Sequence, residues 1–173
     1  MLYRAFVEKD ASYNLQVTYY HKPRRWLDNN HGVLELISEE NWSPEIKYLD
    51  DANENISNEI KTLPNNTGGI YVFYLKGISI PFLENYILYI GRSRYTSRQN
   101  IRKRANEYFS DGRDLIQKMF QEWKSYIYYR YFPKIDNYEI DRIEAQLIRA
   151  ILPPLNEKIP DRIEIQPTIT AFN

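Results

Sequence analysis

The sequence contains no cysteine. Disulfides, a thiolate nucleophile and a thiolate-bound zinc site are thereby excluded. Histidine is scarce, with only His21 and His31, so a histidine-rich metal centre is excluded too, and both are expected to be surface or structural. No apolar run approaches the roughly 18 residues that a membrane-spanning helix needs. The opening residues, MLYRAFVEKD, lack the apolar stretch of a signal peptide, so a cytoplasmic location is expected. Gly68-Gly69 has neither the lysine nor the spacing of a phosphate-gripping loop. Excess charge is also missing: 23 basic residues balance 23 acidic ones, which argues against a protein that binds polyanions over its whole surface.

What is present suits one globular domain of 173 residues with a sizeable core. Hydrophobic content is 43% and charged content 27%, values that argue against disorder. Tyrosine occurs 16 times. The usable chemistry is therefore that of carboxylates, hydroxyls, phenols and guanidinium groups.

The balanced charge is a sum over unlike parts. Residues 1–65 carry 7 Lys/Arg and 11 Asp/Glu, a net of −4. Residues 66–160 carry 15 and 10, a net of +5, and residues 161–173 carry 1 and 2, a net of −1. Within the middle region Arg92, Arg94, Arg98, Arg102, Lys103 and Arg104 follow one another with no intervening acid. A local basic stripe is a usual footprint of a phosphate-bearing partner, and equally suits a solvated helix face.

Patterning divides the chain into an N-terminal extension (1–65), a core (66–160) and a short tail (161–173). In the extension, alternation predicts strands over about 2–8, 13–20 and 32–37. Ser43-Pro44-Glu45 has the character of a helix start, and Ile46, Leu49, Ile56 and Ile60 share one face, which predicts a helix over 44–61. The core predicts two strands, 69–75 and 86–91, joined by a long loop at 76–85. Helices follow over about 97–109 and 112–123, the second with an apolar stripe of Leu115, Ile116, Met119, Phe120 and Trp123. An aromatic strand is predicted over 126–132. A final helix, capped by Asp136 or Asn137, carries Ile140, Ile143, Leu147 and Ile151 and ends at Pro153-Pro154. The order β-β-α-α-β-α gives an α+β fold with a small, mostly antiparallel three-stranded sheet flanked by helices.

Two triplets stand on the consecutive strands: Gly69-Ile70-Tyr71 at the start of the first and Tyr89-Ile90-Gly91 at the end of the second. Beyond them come Gly91-Arg92-Ser93 and Asn100-Ile101-Arg102-Lys103-Arg104, with Tyr108 four residues on. Glu144 stands in the last helix and Asn156 just after it. With this set of residues, the region 66–160 resembles the GIY-YIG nuclease superfamily. The loop between the triplets is longer than in compact members, and position 108 holds tyrosine where some members have histidine. Residues 1–65 match no pattern of that family.

The resemblance implies a metal-dependent endonuclease that hydrolyses DNA phosphodiesters, of a restriction type or with a mobile-element or defence role. Such hydrolysis needs a positioned water, charge neutralisation at the phosphate and help for the leaving oxygen. On this expectation Glu144 is the sole protein ligand of one Mg²⁺ or Mn²⁺ ion. Arg104 clamps the scissile phosphate, with Tyr108 beside it at i+4. Tyr71 is the candidate general base, which requires nearby positive charge because a free phenol titrates near pH 10. Tyr89 positions water or phosphate, and Asn156 orients a neighbouring group. Arg92, Arg94, Arg98, Arg102 and Lys103 are the candidate DNA-binding residues, and the aromatic and basic stretch 18–26 is a weaker one. A single ion cuts one strand at a time, so double-strand cutting favours a homodimer. The alternative is a non-catalytic nucleic-acid-binding or protein-interaction module on the same fold, with the acidic N-terminal segment facing a partner or covering the basic stripe.

Overall fold

The computed structural model describes residues 39–78, 85–158 and 160. The strands expected at 2–8, 13–20 and 32–37, the stretch 18–26, both histidines, most of the tip of the 76–85 loop and the tail 161–173 lie outside these residues.

One antiparallel sheet organises the fold. It comprises β1 (Ile46–Lys47), β2 (Gly68–Leu75), β3 (Ile87–Ser93) and β4 (Ile127–Lys134), in the order β1-β4-β2-β3. The helices are α1 (Asn58–Lys61), α2 (Ile101–Glu107), α3 (Asp114–Trp123) and α4 (Asn137–Ile151). β2 is central and every residue of it is buried. β3 is an edge strand, a position that matters for the site below.

Alternation along β2 sends side chains to two different cores. Tyr71, Phe73 and Leu75 point to one face, where they pack with Tyr48, Ile101, Tyr108, Ile116, Phe120 and Tyr129 under α2 and α3. Ile70, Val72 and Tyr74 point to the other, where Ile140, Ile143, Leu147 and Ile148 of α4 cover them. The amphipathic stripes read from α3 and α4 are the surfaces that close these cores. The caps are local: Asn100 accepts from the Lys103 amide at 2.9 Å, and Asp136 accepts from the Tyr138 and Glu139 amides at 2.8 and 3.1 Å. Leu152, at φ 52°, turns the chain out of α4 ahead of the two prolines.

The helix expected over 44–61 does not form as one unit. Ser43 donates its amide to the Tyr131 carbonyl at 2.8 Å, and Tyr48 donates to Ile127 at 3.1 Å, so this segment runs beside β4. Ser43 Oγ, the expected cap, instead accepts from the Tyr131 amide at 3.1 Å. A turn at Asp50–Asn55 follows, with the Asp50 carboxylate accepting from the Glu54 and Asn55 amides. Only α1 is helical, capped by Ser57. Without β1, β4 would expose its own row of amides and carbonyls, and that tertiary pairing outweighs a weak helical period. The sheet thus has a fourth strand beside the three that were expected. Tyr48 anchors it, fully buried, donating to the Ala105 carbonyl at 2.8 Å and stacking on Phe120 at 4.9 Å between ring centroids.

Candidate active site at the edge strand

The two glycines of the triplets are dictated by close approach. Gly69 has φ +143°, and a Cβ there would collide with the Phe132 carbonyl oxygen of the neighbouring strand. Gly91 pairs directly with Tyr71 in the β2–β3 register. A Cβ on Gly91 would stand 2.5 Å from the Tyr71 hydroxyl and 2.6 Å from its Cζ. The missing side chain is what lets the Tyr71 phenol lie across β3.

That phenol meets two others. Tyr71 and Tyr108 hydroxyls are 2.6 Å apart, and the Tyr108 hydroxyl donates to Tyr89 at 3.2 Å. Because the Tyr108 proton is committed to Tyr89, Tyr71 donates to Tyr108, and the three form a directed chain. Arg104 lies over it, with its Cζ 4.7 Å from the Tyr108 ring centroid. Its Nε donates to Tyr71 at 3.2 Å, Nη2 to Tyr108 at 3.3 Å and Nη1 to Glu107 at 3.1 Å. Arg104 and Tyr108 are four residues apart at the end of α2, which places both over the same sheet face.

Burial sets the protonation of this cluster. Tyr71 is fully covered, and burial holds its pKa well above the ordinary phenol range, Arg104 opposing only in part. The positive charge that a phenolate base would need is present, yet desolvation outweighs it, so Tyr71 keeps its proton at neutral pH. Tyr108 is likewise pushed up, by burial first. Tyr89, at 9% exposure, is the least covered phenol of the three.

Glu144 approaches from the opposite side of the sheet, on α4. Its side chain is 12% exposed and pairs through Oε2 with Arg92 Nη1. Arg92 alternates with Gly91 and so points towards α4, where its Nε also meets Asp141 at 2.9 Å. Burial raises the Glu144 pKa, while Arg92 and then Arg104 favour the charged form. Arg92 on β3 meets Glu144 while its neighbour Gly91 faces the Tyr71 phenol, so the two halves flank the same edge strand. Asn156 fixes that edge. Its Oδ1 accepts from the Ile90 amide at 2.9 Å and its Nδ2 donates to the Ile90 carbonyl at 2.7 Å. The Leu155 amide donates to Leu88 at 3.0 Å. Together they act as a substitute strand, pinning β3 between Tyr89 and Gly91.

The structure brings Tyr71, Tyr89, Arg104 and Tyr108 into contact, sets Glu144 across the edge strand and places Asn156 behind it. The basic stripe is less uniform. Arg92 and Arg94 pair with Glu144 and Asp141 of α4. Arg102 donates to the Leu63 carbonyl. Lys103 donates to the Arg98 carbonyl at 2.9 Å, and the side chain of Arg98 is exposed. Sequence reasoning missed Arg113, whose guanidinium lies 5.8 Å from the Tyr89 ring centroid and 5.5 Å from that of Tyr108. It also missed Glu107, Asp111 and Asp141, which hold arginines in place. No local pattern marks these residues, because the turn between α2 and α3 is what folds Arg113 back over the tyrosines. A cleft of about 360 Å³, lined by Trp42, Val72, Tyr74, Ile87 and Arg130 among others, lies on the α4 face and includes none of the expected site residues.

As a cation ligand, Glu144 presents a second oxygen, Oε1, that accepts no hydrogen bond among the described residues. A desolvated carboxylate with a spare oxygen suits one hard divalent ion that keeps most of its waters. Among the described residues no group of three or more acidic or histidine side chains is placed to hold an ion. No helix of the described residues is long and apolar enough to cross a membrane.

No family model matches this chain, and no curated protein matches it. Two solved structures are similar to it, both of the GIY-YIG N-terminal endonuclease domain of UvrC from Thermotoga maritima. They are point mutants, each bound to the catalytic divalent cation. Each is 17% identical to this chain and covers 64% of it and 100% of the solved chain, with TM-scores of 0.43 and 0.41.

Proposed function

We propose that this protein is a GIY-YIG-type endonuclease that hydrolyses DNA phosphodiester bonds with the help of one divalent metal ion, Mg²⁺ or Mn²⁺. The observation that carries this reading is the single cluster made by Arg104 with Tyr71, Tyr108 and, through Tyr108, Tyr89, set across the edge strand from Glu144, which pairs with Arg92 of that strand.

In this reading Glu144 would hold the ion. When bound, the ion supplies positive charge to the scissile phosphate and to the departing oxygen. The chain's own residues do the positioning. Tyr89, at the least covered end of the phenol chain, orients the attacking water. Tyr71 and Tyr108 fix the Tyr89 hydroxyl by supplying it with a directed hydrogen bond. Arg104 locks the phenols and keeps a positive charge beside the site. Asn156 keeps β3 in register, so that Tyr89 and Gly91 stay where the cluster needs them. Arg98 and Lys103 track the DNA backbone along the exposed start of α2.

The test is cleavage of supercoiled plasmid and linear DNA by the purified chain with Mg²⁺, with Mn²⁺ and with EDTA, beside Glu144→Ala. Metal-dependent cleavage lost in Glu144→Ala supports the proposal. Discrete fragments would add sequence specificity, and smears would remove it. Salt-sensitive DNA binding without cleavage by the wild type would favour the non-catalytic module. Full activity of Glu144→Ala would exclude the assigned role of that carboxylate.

A further inference from the structure

Arg104 was expected to grip the phosphate, and three of its five N–H groups already donate within the protein. Its side chain is 29% exposed, against 44% for Arg113. Arg113 stands at the opposite end of the same cluster, just ahead of α3. Asp111 fixes it from one edge: Nε donates to Oδ1 and Oδ2 at 2.9 and 3.1 Å, and Nη2 donates to Oδ2 at 2.7 Å. One face of the guanidinium lies against the Tyr89 and Tyr108 rings. Asp111 leaves Nη1 unengaged, and the guanidinium also interacts with the Tyr89 and Tyr108 phenols. A planar, partly exposed cation is thus held by a carboxylate and two rings, beside the least covered phenol of the trio, with N–H groups left over once Asp111 is satisfied.

We infer that Arg113 is the side chain that contacts the phosphodiester beside Tyr89, while Arg104 positions the phenols. This rests on the endonuclease reading above. The two arginines divide the work by their surroundings. Three of the five N–H groups of Arg104 are engaged by Tyr71, Tyr108 and Glu107, and its side chain is the less exposed of the two. Arg113 is the more exposed, and its Nη1 can meet a phosphate oxygen while Nε and Nη2 stay on Asp111. The pair with Asp111 also removes most of the cost of ordering a long side chain before DNA arrives.

The test compares Arg113→Ala, Arg113→Gln and Arg113→Lys with the wild type. Fluorescence anisotropy with a labelled DNA duplex is measured in EDTA over a salt series, and cleavage is measured separately with Mg²⁺. Near-ultraviolet circular dichroism checks the packed tyrosines. Loss of one phosphate contact should make the slope of log affinity against log salt shallower by about one unit for Ala and Gln. Their kcat should fall by about a hundredfold, as when one preorganised donor is removed. Lys should restore the salt slope through its charge, but recover kcat only partly because it lacks the fork. If the Ala variant loses its tyrosine signature, the Gln variant, which keeps most of the stem, carries the comparison. A wild-type salt slope together with wild-type kcat in a folded Gln variant would overturn the inference while leaving the endonuclease reading intact. A wild type that neither binds nor cuts DNA would overturn both.

Discussion

The phenol of Tyr71 lies across the α-carbon of Gly91, its partner on the neighbouring strand, so closely that a methyl group there would stand 2.5 Å from the hydroxyl. Tyr71 belongs to the first triplet and Gly91 to the second. The two are therefore one structural unit: a tyrosine on the central strand needs a glycine on the edge strand in order to reach Tyr108 and Arg104.

Gly91→Ala follows directly. The added methyl cannot be absorbed, because Tyr71 is fully buried and hydrogen-bonded. We expect destabilisation of about 1–3 kcal/mol from overpacking, and loss of activity of at least about tenfold from displacement of the phenol chain. Thermal unfolding and plasmid cleavage of the same preparation check both. Wild-type values for both would mean that the Tyr71–Gly91 contact is not as tight as described.

Glu144→Gln separates chemistry from stability. Burial raises the Glu144 pKa despite Arg92. Its folded pKa thus exceeds its unfolded one, so its favourable contribution is present below the unfolded value and is lost as pH rises through the folded one. At neutral pH the ionised carboxylate is a liability, and a neutral amide of the same shape should leave the melting temperature unchanged or higher. Cleavage should fall by at least about a hundredfold, since the amide is a poor ligand for a hard cation. A clear drop in melting temperature would show that the pair with Arg92 is chiefly structural.

Asn156→Ala removes two hydrogen bonds to Ile90 at once. At about 1 kcal/mol each, the loss should be about 2 kcal/mol by denaturant titration. Hydrogen exchange at the Ile90 amide should accelerate, since its partner on the open side of β3 is gone. An unchanged Ile90 exchange rate would rule out the bracing role.

Alkaline pH should unfold this protein from within. Tyr48, Tyr71, Tyr74, Tyr108 and Tyr129 are all held above the ordinary phenol range, with burial as the leading cause. A phenol whose folded pKa exceeds the unfolded value near 10 stabilises the fold below that value and ceases to do so as pH rises through it. Stability should be flat from neutral pH to about pH 9 and fall above about pH 10. The buried phenols should give tyrosinate absorbance only together with loss of secondary structure. Ionisation of all tyrosines in an intact fold would contradict this.

Tyr48→Phe probes the seam between the N-terminal segment and the sheet. It deletes a buried bond to the Ala105 carbonyl and leaves the ring packing on Phe120. The expected cost is about 1–2 kcal/mol in equilibrium unfolding. A neutral effect would mean that ring packing alone docks this segment.

Much of this arrangement is written in the chain order. The glycines, the tyrosine and arginine spacing on α2, the apolar stripes of α3 and α4, and the carboxylate followed by a proline-bounded asparagine are all short-range features. Each is constrained by a period, a cap or a breaker within a few residues, which is why the α+β order could be read directly. The segment 44–61 shows the limit. Its capping serine and spaced isoleucines satisfy a helix locally, but the open edge of β4 recruits Ser43, Ile46 and Tyr48 as a strand.

The candidate site divides in the same way. Sequence alone determined which chemical groups are available: phenols, hydroxyls, guanidinium groups and carboxylates, with thiols and clustered imidazoles excluded. Tertiary structure decided how they are used. It buried Tyr71 and left Tyr89 the least covered of the three phenols, engaged three N–H groups of Arg104, turned Arg92 towards Glu144 and returned Arg113 over the tyrosine rings. Protonation and free donors depend on what surrounds a group in three dimensions, through desolvation and through partners 20 or more positions away, such as Tyr108 for Tyr71 and Glu144 for Arg92. No local spacing encodes that environment.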